Sequence, residues 1–157
     1  MKQCIFDLEA DNLDPKQVKN VWCIVIMDVD TEEIFKYGPD RLQEAVGQLQ
    51  ECNRVIGHNI ILYDLPVLYN HFGYTPVSYI DTLILSRLSN PDRMMPWGMK
   101  GKRTPHSVAA WGKRLGGEEK VEHEDWSQFS ENMMKRCETD VKINLEIYKA
   151  LYHEFKE

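Results

Sequence analysis

Residues 5–13 read IFDLEADNL, a short apolar strand that carries two carboxylates, Asp7 and Glu9, on one face. Successive side chains of a strand point to opposite faces, so Ile5, Asp7 and Glu9 share one side, with Phe6 and Leu8 on the other. Carboxylates at i and i+2 stand roughly 6.5–7 Å apart along the strand, at about 3.3 Å per residue. Held in a buried site they repel one another unless a cation sits between them. A divalent metal is the usual partner for hard oxygen ligands of this kind. The same residues also suit a polar strand end that runs into a turn, because Asp and Asn favour turns.

The 157 residues fit one domain, taken here as 1–157, and suffice to bury about 70% of the unfolded surface. A net charge of −6, from 25 acidic and 19 basic residues, argues against gripping duplex nucleic acid by bulk electrostatics. It leaves room for an enzyme whose site is acidic because it holds metal. The four cysteines, Cys4, Cys23, Cys52 and Cys137, are scattered without a Cys-x-x-Cys pair. They predict reduced, mostly buried thiols and a cytoplasmic protein. No signal peptide is expected, and no apolar stretch approaches the ~20 residues that span a membrane.

The remaining pattern alternates between strand and helix. Residues 21–29 (VWCIVIMDV) read as an interior strand and 33–37 as a third, after a turn at Asp30-Thr31-Glu32. A helix opened by Pro39-Asp40 follows, with Leu42, Ala45, Val46 and Leu49 at helical spacing. Residues 54–58 (RVIGH) form a short strand, and helices are expected near 65–72, 82–88 and 107–115. Residues 89–105 hold three prolines, two glycines and a basic cluster and read as a mobile loop. The last helix runs from about Ser130 to the end, its apolar stripe formed by Val141, Leu145, Tyr148, Tyr152 and Phe155. Such an order predicts a layered α/β or α+β domain.

Three further aspartates matter. Asp64 precedes a first-turn Pro66 and Asp81 opens another helix, so helix capping explains both. Asp140 sits inside the last helix, beside Val141 of the apolar stripe.

Taken in order, these segments resemble the DEDD (DnaQ-like) 3′–5′ exonucleases, and most closely the proofreading exonuclease domain of phage family A replicative DNA polymerases. FDLEA resembles the first exonuclease motif with Asp7 and Glu9. GHNIILYDLPVL resembles the second with Asp64, and CETDV the third with Asp140. The intervening YIDTLILSRL, PHSVAAWGKRLGG and WSQFSENMM resemble segments of the phage subfamily. The resemblance implies a ribonuclease H-like α/β fold, a mixed β-sheet flanked by helices in one domain. It also implies two Mg²⁺ ions, with Mn²⁺ as a substitute, held by Asp7, Glu9, Asp64 and Asp140. The implied activity is hydrolysis from a single-stranded DNA 3′ end that releases nucleoside 5′-monophosphates, either standalone or as a proofreading subunit with a DNA polymerase partner. A phage-encoded protein would act in the host cytoplasm, with no membrane partner.

One position departs from the family. Its members place a Tyr four residues, or a His five residues, before the last Asp to orient or deprotonate the attacking water; here those positions hold Arg136 and Lys135. Arg136 lies one helical turn from Asp140. An arginine stays protonated and cannot act as a general base, so it would bind the scissile phosphate, pair with Asp140 or face solvent. His106 or a metal-bound water would then meet the need for a base. Candidate substrate contacts are Leu13, as an apolar wedge or a core residue, with His58 and Asn59, which end a strand near Asp64. Lys100, Lys102 and Arg103, with Lys113 and Arg114 on the next helix, are placed to track phosphates of a single strand. Trp97 is expected to anchor its loop against the body rather than to stack on bases. Two other readings remain open: an oligoribonuclease-like activity on RNA, which would turn on 2′-hydroxyl contacts, and a degenerate fold that binds DNA ends or a polymerase.

Overall fold

A computed structural model describes residues 1–99, 105–117, 123 and 125–156. Its centre is strand β1 (Gln3–Ala10), which pairs antiparallel with β2 (Val21–Asp28) and parallel with β4 (Arg54–Gly57). Strand β3 (Ile34–Tyr37) extends the sheet antiparallel beyond β2, and β5 (Tyr79–Asp81) extends it parallel beyond β4. The five-stranded order is β3-β2-β1-β4-β5. Parallel neighbours need crossovers, and helices α1 (Leu42–Glu51) and α2 (Asp64–Phe72) supply them on one face of the sheet. Helices α3 (Thr82–Ser89), α4 (Val108–Leu115) and α5 (Glu131–Lys156) complete the chain. This is the mixed, helix-flanked α/β sheet expected from the sequence.

The alternation of β1 divides the core. Phe6 and Leu8 pack with Ile24, Ile26, Leu49, Val55 and Leu68 beneath α1 and α2. Ile5 packs on the opposite face with Val25, Ile56 and the Met133, Cys137, Val141 and Leu145 stripe of α5. Asp7 and Glu9 therefore point to the α5 face, just where that sheet layer runs out of apolar cover. The register slips between Glu9 and Ala10, so regular pairing with β2 ends directly after the second carboxylate.

Most elements lie within two residues of their expected bounds. Strand β5 was not expected, being three residues long with only Asp81 buried. The α5 stripe is shorter than its periodicity suggests: Tyr152 and Phe155 are more than half exposed, because the helix outruns the sheet beneath it. All four cysteines are free and buried, as their isolation in sequence predicted. Among the described residues no helix is long and apolar enough to cross a membrane.

Candidate active site

Three elements converge on one cleft of about 400 Å³. Strand β1 brings Asp7 and Glu9, the first turn of α2 brings Asp64, and the middle of α5 brings Asp140. Glu9, Asp64 and Asp140 are buried, and Asp7 is partly so.

The turn that delivers Asp64 is built with little slack. Gly57 closes β4 where a Cβ would collide with Ile60 and come within 3.2 Å of the Phe6 carbonyl. Asn59 then takes a left-handed conformation (φ 62°), which asparagine tolerates better than most residues. Asp81 holds the turn from below: its carboxylate accepts the Asn59 N–H at 2.9 Å and the Ile61 N–H at 3.1 Å. It also caps α3 by accepting the Leu83 N–H, the capping role read from sequence. Asp64 differs from that reading. Helix α2 is capped at Tyr63 without a side-chain hydrogen bond, and Asp64 is the first helical residue, facing the cleft.

Packing so many acids together has an electrostatic cost. Burial and then the Asp7 charge push the Asp64 carboxyl well above the usual range, against hydrogen bonds from the Leu8 and Asp64 N–H groups. Glu9 is pushed up to about 10 by burial and by Asp7, against the pull of Arg136. Asp64 Oδ2 is buried with no hydrogen-bond donor in reach. An orphaned carboxylate oxygen among like charges is the setting in which a hard dication replaces protons as the counter-charge. Ligand atoms of Asp7, Glu9 and Cys137 also lie within 4.8 Å of one another. The Cys137 thiol is buried, donates to the Asp7 carbonyl at 3.3 Å, and is held neutral chiefly by burial, so the carboxylates form the donor set. The residues present fit divalent metal.

Arg136 does not face solvent. Although one turn from Asp140, its guanidinium reaches Glu9, with Nε 3.4 Å from Oε1 and side chains only 16% and 11% exposed. It also stacks on Trp126, 5.3 Å from the ring centroid. The indole that receives it is fixed in turn, since Trp22 Nε1 donates to the Trp126 carbonyl at 3.0 Å.

Other candidates separate clearly. Leu13 is 94% exposed on the cleft rim, which removes its core role, and Leu62, which sequence reasoning missed, stands beside it at 69%. Tyr63 ties that rim together through its hydroxyl, which donates to the Asn12 carbonyl at 2.5 Å. His58 and Asn59 line the cleft as expected. The His58 ring is already engaged, however, with Nε2 donating to the His106 carbonyl and Nδ1 2.8 Å from Thr82 Oγ1. His106 corrects the sequence expectation: it is buried behind the cleft with Nδ1 2.7 Å from Ser86 Oγ, and cannot serve as a base there. Arg114 is likewise no phosphate tracker. It stacks on Trp111 and donates to the Met94 and Pro105 carbonyls. Trp97 is 94% exposed and anchors nothing. Lys100, Lys102 and Arg103 lie outside the described residues.

Comparison with known proteins places this geometry. No family model matches the chain. The DNA-directed DNA polymerases of Enterobacteria phage T3 and Escherichia phage T7 are each 28% identical to it, over 94% of this chain and 26% of the polymerase. Brucella melitensis NrnC superposes with a TM-score of 0.74 at 19% identity, covering 99% of this chain and 74% of that one. Escherichia coli RNase D, an exoribonuclease, superposes at 0.69 with 21% identity, covering 99% of this chain and 40% of its own. The chain has the fold of the DEDD exonucleases. It thus spans about a quarter of the length of the phage polymerases it matches, and its carboxylates Asp7, Glu9, Asp64 and Asp140 stand together in one cleft.

Proposed function

We propose that this chain is a metal-dependent 3′–5′ exonuclease that shortens single-stranded DNA and releases nucleoside 5′-monophosphates. The observation that carries this is the convergence of four carboxylates from three elements on one cleft, with Asp64 Oδ2 left without a donor. Asp7, Glu9, Asp64 and Asp140 would hold two Mg²⁺ ions, or Mn²⁺ in their place. When bound, such ions lower the pKa of water and neutralise charge on both oxygens of an in-line displacement. A Mg²⁺-bound structure of NrnC supports the choice of metal. The protein's own contribution is position and exclusion. Leu13 and Leu62 offer the terminal base an apolar surface, and the Gly57–Asp64 turn fixes the carboxylate across from β1.

DNA is favoured as substrate by the phage polymerases, which also suggest a proofreading role beside a polymerase partner. The likeness to RNase D favours a second reading, an exonuclease on RNA. Binding to either should be weak and steeply salt-dependent for a chain of net charge −6. The test is degradation of 5′-labelled single-stranded DNA and RNA of one sequence with Mg²⁺, Mn²⁺ or EDTA, beside Asp7→Ala. A metal-dependent ladder that shortens from the 3′ end of DNA is expected. A ladder on RNA alone selects the second reading, and intact strands throughout leave a fold that binds ends without cutting them.

A further inference from the structure

We propose that the Tyr63 hydroxyl is a positioning group that fixes Leu13 at a set distance from the cleft carboxylates, so that the terminal base of a strand and its scissile phosphate are held in one geometry. This rests on the exonuclease reading above and names a further residue that serves it. Tyr63 stands directly before Asp64, at the cap of α2, with its ring packed against the core on that side of the sheet. Its hydroxyl reaches across to the loop that follows β1 and donates to the Asn12 carbonyl at 2.5 Å. The next residue of that loop is Leu13, which stands 94% exposed on the cleft rim. A single side chain thus joins the turn that delivers Asp64 to the rim that meets the base.

The loop is fastened at its base and along its far side, and its tip depends on Tyr63. At the base, the Asp11 carboxylate accepts the Lys19 and Asn20 N–H groups at 2.9 and 3.0 Å. On the far side, His71 Nε2 in the last turn of α2 donates to the Val18 carbonyl at 3.0 Å. Within the tip, Asn12 Oδ1 accepts the Asp14 N–H at 2.9 Å, which shapes the turn without tying it to another element. Asn12, Leu13 and Asp14 are all exposed. Leu13 and Tyr63 line both the cleft and a second cavity of about 390 Å³, whose walls also include Asn12, His123 and Trp126. The Tyr63–Asn12 bond is therefore part of the partition between the two spaces, and without it Leu13 has room to swing away from the cleft. A reacting geometry tolerates displacements of only about 0.5 Å, so a wedge left to drift would hold the base without aiming the phosphate.

The experiment is a double-mutant cycle on the full chain, with wild type, Tyr63→Phe, Leu13→Ala and the double variant. The readout is kcat/KM on 5′-labelled single-stranded DNA and RNA at saturating Mg²⁺, with a Mg²⁺ titration of each protein and thermal melts to confirm folding. Tyr63→Phe keeps the ring and removes only the hydroxyl. It should lower kcat/KM about fivefold, the scale of one neutral hydrogen bond, at an unchanged Mg²⁺ midpoint. Leu13→Ala should lower it about tenfold, and the double variant no further, because both changes disable the same contact. Losses that multiply in the double variant overturn the proposal and leave the exonuclease in place. The same follows if Tyr63→Phe is as active as wild type, or if Leu13→Ala has no effect. A Mg²⁺ midpoint raised in Tyr63→Phe moves the hydroxyl's effect to Asp64 and also overturns it. Wild type that cuts neither strand with Mg²⁺ or Mn²⁺ removes the exonuclease reading and this proposal together.

Discussion

Two places in the molecule are made from the same three parts, an arginine, a glutamate and a tryptophan. Arg93 meets Glu154 through two contacts, at 3.0 and 2.9 Å, and lies 4.5 Å over Trp111. Arg136 Nε approaches Glu9 Oε1 at 3.4 Å, and the guanidinium lies 5.3 Å over Trp126. The environments invert their consequences. Glu154 is more than a third exposed on the rim of α5, and the arginine holds its carboxyl below the usual range. Glu9 sits among other acids out of water, and there Arg136 fails to keep it from rising to about 10. A bidentate pair at the edge of solvent behaves as a clamp. A longer contact within an overcharged cleft behaves as a placeholder, because a stronger cation or anion can displace one partner.

The widest gap between the two should appear in turnover. Asp7→Ala is expected to cut the rate at least ~10³-fold, since carboxylates that act as a unit fail together. Its melting temperature should hold or rise, because the change removes a like charge beside Glu9 and Asp64. Glu154→Gln should leave turnover alone. Equal losses of rate in both would mean that the two groups form one functional network.

Protons give the next largest effect. Without metal, burial and the Asp7 charge push the Glu9 carboxyl up to about 10, from its ordinary 4.5. Its folded form therefore binds a proton that the unfolded chain has already lost, so its stabilising contribution is complete below pH 4.5 and drains away as pH rises through 10. The slope approaches about 1.4 kcal/mol per pH unit where Glu9 alone differs between the two states. Melting curves between pH 6 and 8, in EDTA, are the check, with Glu9→Gln flattening the slope and Mg²⁺ reversing it. A cation-free protein whose stability is level across that range would show that Glu9 is ionised and firmly paired, as Glu154 is.

Smaller still is the cost of breaking the clamp. Glu154→Gln should destabilise by about 1–2 kcal/mol, less than a fully buried pair because the glutamate is partly in water. Arg136→Met should cost less than that, measured by urea denaturation at pH 7 in EDTA. If Arg136→Met proves the more damaging of the two, the placeholder reading of the Glu9 pair is wrong.

The sequence was most legible where one local rule decides the outcome. Period-two alternation in β1 split Ile5, Asp7 and Glu9 from Phe6 and Leu8, and the two core layers follow that split. Capping chemistry identified Asp81 for the same reason, since its partners Leu83 and Ile84 are close in the chain. What failed depended on distance in sequence. Arg136 shares a helix face with Asp140, yet 127 positions separate it from the Glu9 it reaches, and only the packing of α5 across β1 creates that contact. His106 looked available because nothing local says that Ser86 and α3 enclose it. Trp97 misled in the opposite sense: a large apolar side chain predicts burial, and it instead stands in water. Leu62 and Trp126 carried no signal before the rim and the second cavity were assembled around them.

The smallest effect probes the placeholder most directly. Arg136→Tyr restores the residue type that related exonucleases carry four positions before the last aspartate, and it removes a charge without emptying the space. Arg136 pulls the Glu9 carboxyl down, against burial and Asp7. Losing it should raise Glu9 further, so a higher pH is needed to ionise the cleft for metal. The acid limb of the rate profile, measured at saturating Mg²⁺, should then move up by about one pH unit or less, with a plateau rate within about tenfold of wild type. The direction discriminates between mechanisms. An arginine that serves only the phosphate would change the plateau and leave the limb in place, whereas one that acts on Glu9 must move the limb. A profile that shifts towards acid would mean that Arg136 competes with metal for Glu9 more strongly than it favours the ionised carboxylate.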